Sequence, residues 1–330
     1  MDQAYLKPED GGYVAASSDF GPPINRARIV LMITLRIFLM IPALVGDLFR
    51  ELIWCPRKSV RGQVVLVTGG GNGLGRGICE RLAREGCKVA VADIDFVGAK
   101  RTAKKIQNEG AEAEAFKVDV SDFQSIVGLR KEIEQKFGPV DILVNNAALL
   151  GVANCSDGTE EDVQRIIDVN LTSHFWTIRV FKPGMIERKR GHIVAISSVF
   201  GLVATFRGTI YTATKFGVRG LMRSLHEELD FLGQSHQVQT TCAYPSFMAT
   251  RKELVEILKG HFGISVNPIT PEHAANIVVD GMLRNDSEIM VGRVMDCWLI
   301  RIMQFLPRRI YRLVMKSIMR DVDINGKQLA

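Results

Sequence analysis

Val64-Val65-Leu66-Val67-Thr68-Gly69-Gly70-Gly71-Asn72-Gly73-Leu74-Gly75 reads as a short apolar strand running into a turn dense in glycine, and a helical pattern follows from Ile78 to Arg84. Glycine lets a backbone turn tightly and approach a pyrophosphate closely. The free N–H groups and dipole at a helix N-terminus then favour the anion. The spacing narrows the choice. The G-x-G-x-x-G fingerprint fits the loop in no register, and no G-K-[ST] follows, which excludes a P-loop. The pattern T-G-x-x-x-G-x-G does fit, at Thr68, Gly69, Gly73 and Gly75. Gly69, Asn72, Gly73, Leu74 and Gly75 are therefore expected to line a dinucleotide.

Working outward, β-rich runs alternate with longer helical patterns. The runs are 64–68, 88–93, 113–119, 140–146, 191–198, 238–244 and 288–292. Such alternation predicts an α/β, doubly wound, Rossmann-like domain over 56–292, with a seven-stranded parallel sheet covered by helices on both faces. Long helical stretches are expected at 160–189 and 209–232. Asp93 ends the second strand, where a carboxylate can accept from adenosine ribose hydroxyls and repel a 2′-phosphate. NAD(H) is thus expected over NADP(H). The competing role is a helix N-cap at Asp93 or Asp95, and Arg76 is the one nearby cation that could receive a phosphate.

Tyr211 and Lys215 stand four residues apart in Y-T-A-T-K, so a helix puts both on one face. Alone, that pair is unremarkable. Its setting is not, because Ser198 ends a buried-looking strand shortly before the helix begins, and two hydroxyls can then converge beside a nicotinamide.

With these residues in hand, the sequence resembles the short-chain dehydrogenase/reductase family over roughly 60–295. The glycine loop matches the family's cofactor loop, Asp119-Val120 its adenine-pocket pair, Asn145-Asn146-Ala147 its strand-four signature and Asn170 its catalytic asparagine. Ser198, Tyr211 and Lys215 complete the tetrad, and Pro245 through Thr250 is similar to the segment beside the nicotinamide. Two positions depart from the pattern: Ala148 and Ser246 stand where glycine is usual. The resemblance implies that Tyr211 is the catalytic base or acid, Ser198 binds the substrate oxygen, Lys215 holds the nicotinamide ribose, and Asn170 positions a water and Lys215 in a proton relay. Asn146, Ala147, Pro245 and Thr250 would touch the cofactor. Elementary chemistry agrees, since a tyrosine with an ordinary pKa of about 10 acts near neutrality only beside positive charge.

The flanks differ from this body. Residues 1–28 lack periodicity and are expected to be a flexible tail. Residues 29–55 are mostly apolar but contain Arg36, Pro42 and Asp47, and are read as a membrane anchor, spanning or monotopic. Residues 293–330 mix apolar and basic residues. There Arg308, Arg312, Lys316 and Arg320 recur every fourth residue, with Tyr311, Val314, Met315 and Ile318 on another face, so this segment is expected to lie on a membrane surface as an amphipathic basic helix.

The net charge of +6 follows these apolar flanks, which favours lipid over nucleic acid. The six cysteines are scattered without metal-ligand spacing, so no metal site is expected and the thiols should be reduced, with the catalytic body facing the cytosol. The anchor, the P-R-K-x-V-x-G lead-in at Pro56–Gly62 and the basic C-terminus resemble the membrane-associated epidermal retinol dehydrogenase and 17β-hydroxysteroid dehydrogenase branch. That likeness implies a lipophilic alcohol, retinol first, with a steroid 17β-hydroxyl or a fatty alcohol as alternatives. It also implies the endoplasmic reticulum membrane or a lipid droplet, and a homodimer. An apolar lid is expected over Ser246–Thr270. A scaffold that merely retains the fold is the reading from another class.

Overall fold

The computed structural model describes residues 56–150, 158–204, 208–248 and 268–318, together with Thr34 and Phe38. The expected tail, nearly all of the expected anchor, and Thr250 lie outside the described residues. So do most of the expected lid and Arg320. The chain divides into two units at Pro56, and everything below concerns the second, Arg57–Ala330.

Seven strands form one sheet: β1 (Val64–Thr68), β2 (Lys88–Asp93), β3 (Ala113–Lys117), β4 (Ile142–Asn145), β5 (Gly191–Ile196), β6 (Val238–Pro245) and β7 (Glu288–Val291). Their order is β3-β2-β1-β4-β5-β6-β7, and every pairing is parallel. Parallel sheets need both faces covered, which is why β1 and the interior of β2 are buried at every position.

Helices α1 (Gly73–Arg84), α2 (Phe96–Asn108) and α7 (Pro271–Arg284) cover one face, where Val65 and Val67 pack with Ile78, Leu82, Ile106, Val278 and Met282. On the other face α3 (Phe123–Phe137), α5 (Ser173–Glu187) and α6 (Thr209–Phe231) enclose Leu66 with Ile126, Ile133, Ile178, Met185 and Met222. Each such side chain contributes about 1.5–3 kcal/mol on burial. Side chains along β1 alternate between the two cores, as the period of a strand requires.

Between β4 and α5 lies α4 (Glu160–Ile167), opened by a Thr159–Asp162 capping box. The stretch expected as one helix over 160–189 is instead broken by a π-helical turn, Asp168–Thr172. Such turns cluster at functional positions, and this one carries Asn170. After β7 come α8 (Val294–Met303) and α9 (Arg308–Ile318).

The chain enters this unit through a polar relay that runs from the surface to the buried His192. Lys58 donates to Nδ1 of His192 and to Asn285 Oδ1 at 2.7 Å. An ammonium can only donate, so His192 is neutral and its Nε2–H faces Thr241 Oγ1 at 2.9 Å; that hydroxyl in turn donates to the Asp286 carbonyl at 2.7 Å. Burial and the neighbouring Lys58 charge hold the His192 pKa far below its usual range. Lys58→Met leaves the buried Nδ1 without its donor and is expected to destabilise the fold by about 1–3 kcal/mol. A thermal or urea melt with an unchanged midpoint would show that the relay contributes nothing.

Candidate active site

The order β3-β2-β1-β4 reverses direction between β1 and β4, and in an open parallel sheet the ligand crevice lies outside the carboxyl ends of the strands at such a switch. Thr68 ends β1, Asp93 ends β2, Asn145 ends β4 and Pro245 ends β6, while Asp119 and Ser198 follow β3 and β5 by two residues each. The topology therefore brings these expected site residues to one edge of the sheet.

At the switch point the loop after β1 is held by its own glycines and by Asn146. Gly69 and Gly73 adopt φ of +66° and +54°, the left-handed region that favours glycine. Gly75 lies so close to Gly69 that a Cβ there would fall 2.0 Å from its carbonyl oxygen. Asn146 Nδ2 donates to the Thr68 and Gly69 carbonyls, each at 3.0 Å, and the Thr68 hydroxyl accepts from the amides of Asn146 and Ala147. The Asn146 side chain thus braces the loop. Leu74 is buried in the core beneath it.

Asn72, the N-cap of α1, makes no capping bond, and the first turn of α1 holds no acidic residue. Its amide donates instead to Asp95 at 3.1 Å. The first N–H groups of α1 are thereby left for an anion.

Asp95, not Asp93, caps α2, accepting from the Gly98 amide at 3.0 Å. Asp93 is freed from that duty. Its Oδ2 accepts from the Gly71 amide and its Oδ1 from the Asp95 amide, each at 2.9 Å, which fixes the carboxylate while each oxygen keeps a lone pair for a ribose hydroxyl. Arg76 is committed elsewhere, to Glu80 at 3.6 Å and Glu272 at 3.7 Å. Farther along, Asp119 Oδ1 accepts from the Ser121 amide and hydroxyl, and Val120 is buried beside it. The residues present fit a nicotinamide dinucleotide, with a glycine floor, an uncapped helix end and a positioned carboxylate.

At the opposite end of the cleft, Ser198 caps a 3-10 turn, Val199–Gly201, by accepting from the Phe200 amide at 3.2 Å. Its hydroxyl is near enough to the Tyr211 phenol to act on it. Burial pushes the Tyr211 phenol above its ordinary pKa, and the Ser198 hydroxyl opposes that rise. Lys215, one turn along α6, is 1% exposed; its ammonium donates to the Ile196 carbonyl at 2.9 Å and lies 5.5 Å from the Tyr211 ring centroid. Burial lowers the Lys215 pKa to about 8.

Gly201 lets the 3-10 turn approach α6, since a Cβ there would meet Ser197 Oγ at 2.4 Å and the Lys215 carbonyl at 2.7 Å. Ser198, Tyr211 and Lys215 do converge. The Asn170 side chain has a structural task as well: its Oδ1 accepts from the Leu149 amide at 2.7 Å and its Nδ2 donates to the Leu149 carbonyl at 2.9 Å and to Thr214 Oγ1 at 3.4 Å. It ties the loop after β4 to α6 at the residue before Lys215.

The departures from the family pattern are accommodated. Ala148 is exposed, and the Ser246 amide donates to the Val291 carbonyl at 2.8 Å, which keeps the backbone after Pro245 on the sheet. Two residues that the sequence did not single out join the site. Phe200 stands edge-on to Tyr211 and Phe247, with centroids at 6.5 and 5.9 Å, an apolar wall beside the reacting hydroxyls. His174 is fully buried in the first turn of α5, and the Lys215 charge bears on it. Its spacing of four from Asn170 was the one available signal.

A switch-point cleft with a dinucleotide-shaped floor and a serine, tyrosine and lysine at its far end defines a nicotinamide-dependent oxidoreductase. The family model for short chain dehydrogenases matches residues 63–254, and the chain belongs to that family. Among its relatives, 17-beta-hydroxysteroid dehydrogenase 13 of Rattus norvegicus is 31% identical over 304 residues, spanning 90% of this chain and 95% of the relative. Estradiol 17-beta-dehydrogenase 11 of Homo sapiens is 30% identical over 303 residues, 90% and 96% of the two chains. Of solved structures, a short chain dehydrogenase/reductase from Burkholderia phymatum in complex with NAD shares the fold at TM-score 0.67 and 23% identity, covering 74% of this chain and 93% of that one. A metagenomic short-chain oxidoreductase in complex with NADP aligns at TM-score 0.59 and 31% identity, covering 71% and 98%.

Proposed function

We propose that this protein is an NAD(H)-dependent dehydrogenase of a lipophilic alcohol, working at a membrane surface. The observation that carries the reading is the convergence of Ser198, Tyr211 and Lys215 at the far end of the cleft from the glycine loop. Ser198 hydrogen-bonds the substrate oxygen, Tyr211 takes the hydroxyl proton in oxidation and returns it in reduction, and the Lys215 charge favours the phenolate. Lys215 and the Asp93 carboxylate hold the two riboses. When bound, the nicotinamide accepts or returns the hydride.

The relatives' names put a steroid 17β-hydroxyl first among substrates. Retinol, implied by the sequence resemblance, and long-chain fatty alcohols suit the same wall of Phe200 and Phe247. Detergent-solubilised protein given NAD⁺ or NADP⁺ and a panel of steroid, retinoid and fatty alcohols tests this, and silence with all of them would leave a scaffold that keeps the fold. For the cofactor, Asp93→Ser removes the carboxylate that repels a 2′-phosphate, and should raise the NADP⁺ to NAD⁺ ratio of kcat/KM about tenfold or more. An unchanged ratio would reassign Asp93 to loop structure alone.

Support for the membrane comes from the C-terminus. Val294, Met295, Trp298, Leu299, Ile302 and Phe305 are exposed on α8 and the turn after it, an apolar patch of the kind that marks an interaction surface. On α9, Arg308, Arg309 and Arg312 are exposed, whereas Tyr311, Val314 and Met315 are half-buried. Tyr311 hydrogen-bonds the Ala204 carbonyl, so the apolar face read from the periodicity of α9 is partly turned to the protein, and α8 offers the larger lipid-facing surface. Among the described residues no helix is long and apolar enough to cross a membrane; the 29–55 anchor is proposed on sequence. The location proposed is the endoplasmic reticulum or a lipid droplet, with the catalytic body in the cytosol. A homodimer through α4–α5 and α6 is part of the proposal, supported by exposed Phe175 and Phe216. Fractionation of full-length protein against chains cut before Val60 or after Val291 tests the attachment.

A further inference from the structure

We infer that His174 is a positioning residue of the hydride-transfer site, a neutral imidazole that offers a hydrogen-bonding atom to the buried Lys215 ammonium and helps to keep it charged. The inference rests on Tyr211 and Lys215 being the proton-transfer pair. His174 lies in the first turn of α5, one helical turn beyond Asn170 and on the same face. It is fully buried, and neither Nδ1 nor Nε2 has a hydrogen-bond partner among the described residues. Buried polar atoms are almost always paired, so two orphans on one ring ask for an explanation.

Lys215 supplies one. Its charge bears on His174, and its ammonium has three donors of which the described residues take one, at the Ile196 carbonyl. Asn170, one turn before His174, donates to Thr214 Oγ1 at 3.4 Å, beside Lys215 on α6, so the spare donors and the spare acceptor belong to facing buried stretches of α5 and α6, which one ordered water can join.

The protonation states are consistent with that role. Burial, and then the Lys215 charge, lower the His174 pKa to about 3, so the ring stays neutral wherever the enzyme works and one nitrogen always keeps its lone pair. The other titratable groups facing Lys215 are Tyr211 on its own helix and Cys242 on β6. Burial pushes the Cys242 thiol up to about 12, leaving it neutral as well. Lys215 is therefore a marginal cation in an apolar setting, and an additional polar contact on its ammonium decides how much of its charge survives near neutrality.

His174→Leu removes that contact. Lys215 should then lose its proton at lower pH, the Tyr211 phenolate lose support, and the half-maximum of alcohol oxidation move to higher pH by about one unit. Turnover below that limb should fall about tenfold, with KM for the alcohol little changed. His174→Gln, which retains a donor and an acceptor, should restore most of the profile. A wild-type pH profile in His174→Leu would overturn the proposal, even if the melting temperature fell, because packing alone would then explain the residue.

Should the leucine variant not fold, ¹³C-histidine NMR decides the matter without any substrate. The His174 ring should stay neutral from about pH 5 to 9 in the wild type, and its titration should move upward in Lys215→Met. Identical titrations in the two proteins would refute the pairing. If instead the wild type oxidised no alcohol, the substrate reading would fail while this measurement still judged His174.

Discussion

Tyr211→Phe is expected to cut turnover of the alcohol oxidised by the wild type by about 10²–10⁴-fold, in protein that folds normally and binds NAD as before. The phenyl ring keeps its edge-on contact with Phe200 and its place beneath Lys215, so packing is conserved. What disappears is the hydroxyl that acts on Ser198 and, in the proposed reaction, exchanges the proton of the substrate oxygen. The pH dependence has a definite sign. Burial raises the Tyr211 pKa in the free protein, so the phenol is protonated at neutrality and ready to act as an acid in carbonyl reduction. Oxidation requires the phenolate. The oxidative kcat/KM should therefore climb with rising pH and the reductive value decline. Lys215, lowered to about 8, supports the phenolate most strongly below that pH. In Tyr211→Phe both slopes should vanish. Wild-type turnover in a folded, NAD-binding variant would remove Tyr211 from the chemistry.

Such specific predictions are possible because the part of the sequence that carries the site is the part that folds by local rules. The run Val64–Thr68 is buried on both faces, so its continuous apolar character announced a parallel strand, and glycine at positions 69, 73 and 75 announced backbone that no side chain could share. The strand ends were harder. Expected to begin at 140, β4 begins at Ile142, although the Asp141 backbone already bonds Val64 and His192 on either side while its carboxylate accepts from the Val64 amide and pairs with Arg190. The end of β3 is at Lys117 rather than 119, since Asp119 is drawn into a turn by Ser121. The contacts of Asp141 are tertiary and absent from any local pattern, whereas the Asp119–Ser121 turn is local.

A tertiary contact likewise explains the break at Asp168–Thr172. A π turn continues the helical course with nearly the same residue preferences, and what fixes it here is the grip of Asn170 on Leu149 across the cleft. Asp93 and Asp95 were interchangeable as caps in sequence, and only the Gly98 amide tells them apart. His174 was passed over despite its spacing from Asn170, because a lone histidine in an apolar stretch is ordinarily a satisfied core residue. Its unsatisfied nitrogens are a property of the fold.

Gly75→Ala should be the most damaging single-methyl change in the loop. The new Cβ would stand 2.0 Å from the Gly69 carbonyl oxygen, 2.8 Å from the Gly69 carbonyl carbon and 2.5 Å from Asn146 Nδ2. Two of those atoms are backbone, in a turn whose φ of +66° at Gly69 already leaves few alternatives, and the third is the amide that holds the turn to β4. Relief requires the loop to move off its brace, at about 1–3 kcal/mol or more for an overpacked site, and the displaced loop no longer presents the N-terminal amides of α1 to a pyrophosphate. NAD affinity should fall by about 10–100-fold, the same energy read as binding, together with a lower melting temperature. Gly128→Ala serves as the control: this glycine sits inside α3 with nothing within 4 Å of its Cβ position, so alanine there should stabilise the helix by about 0.5–1 kcal/mol and leave NAD binding alone. If Gly75→Ala bound NAD as the wild type does, the turn between β1 and α1 could not be the floor of the cofactor site, and the uncapped end of α1 would need another occupant.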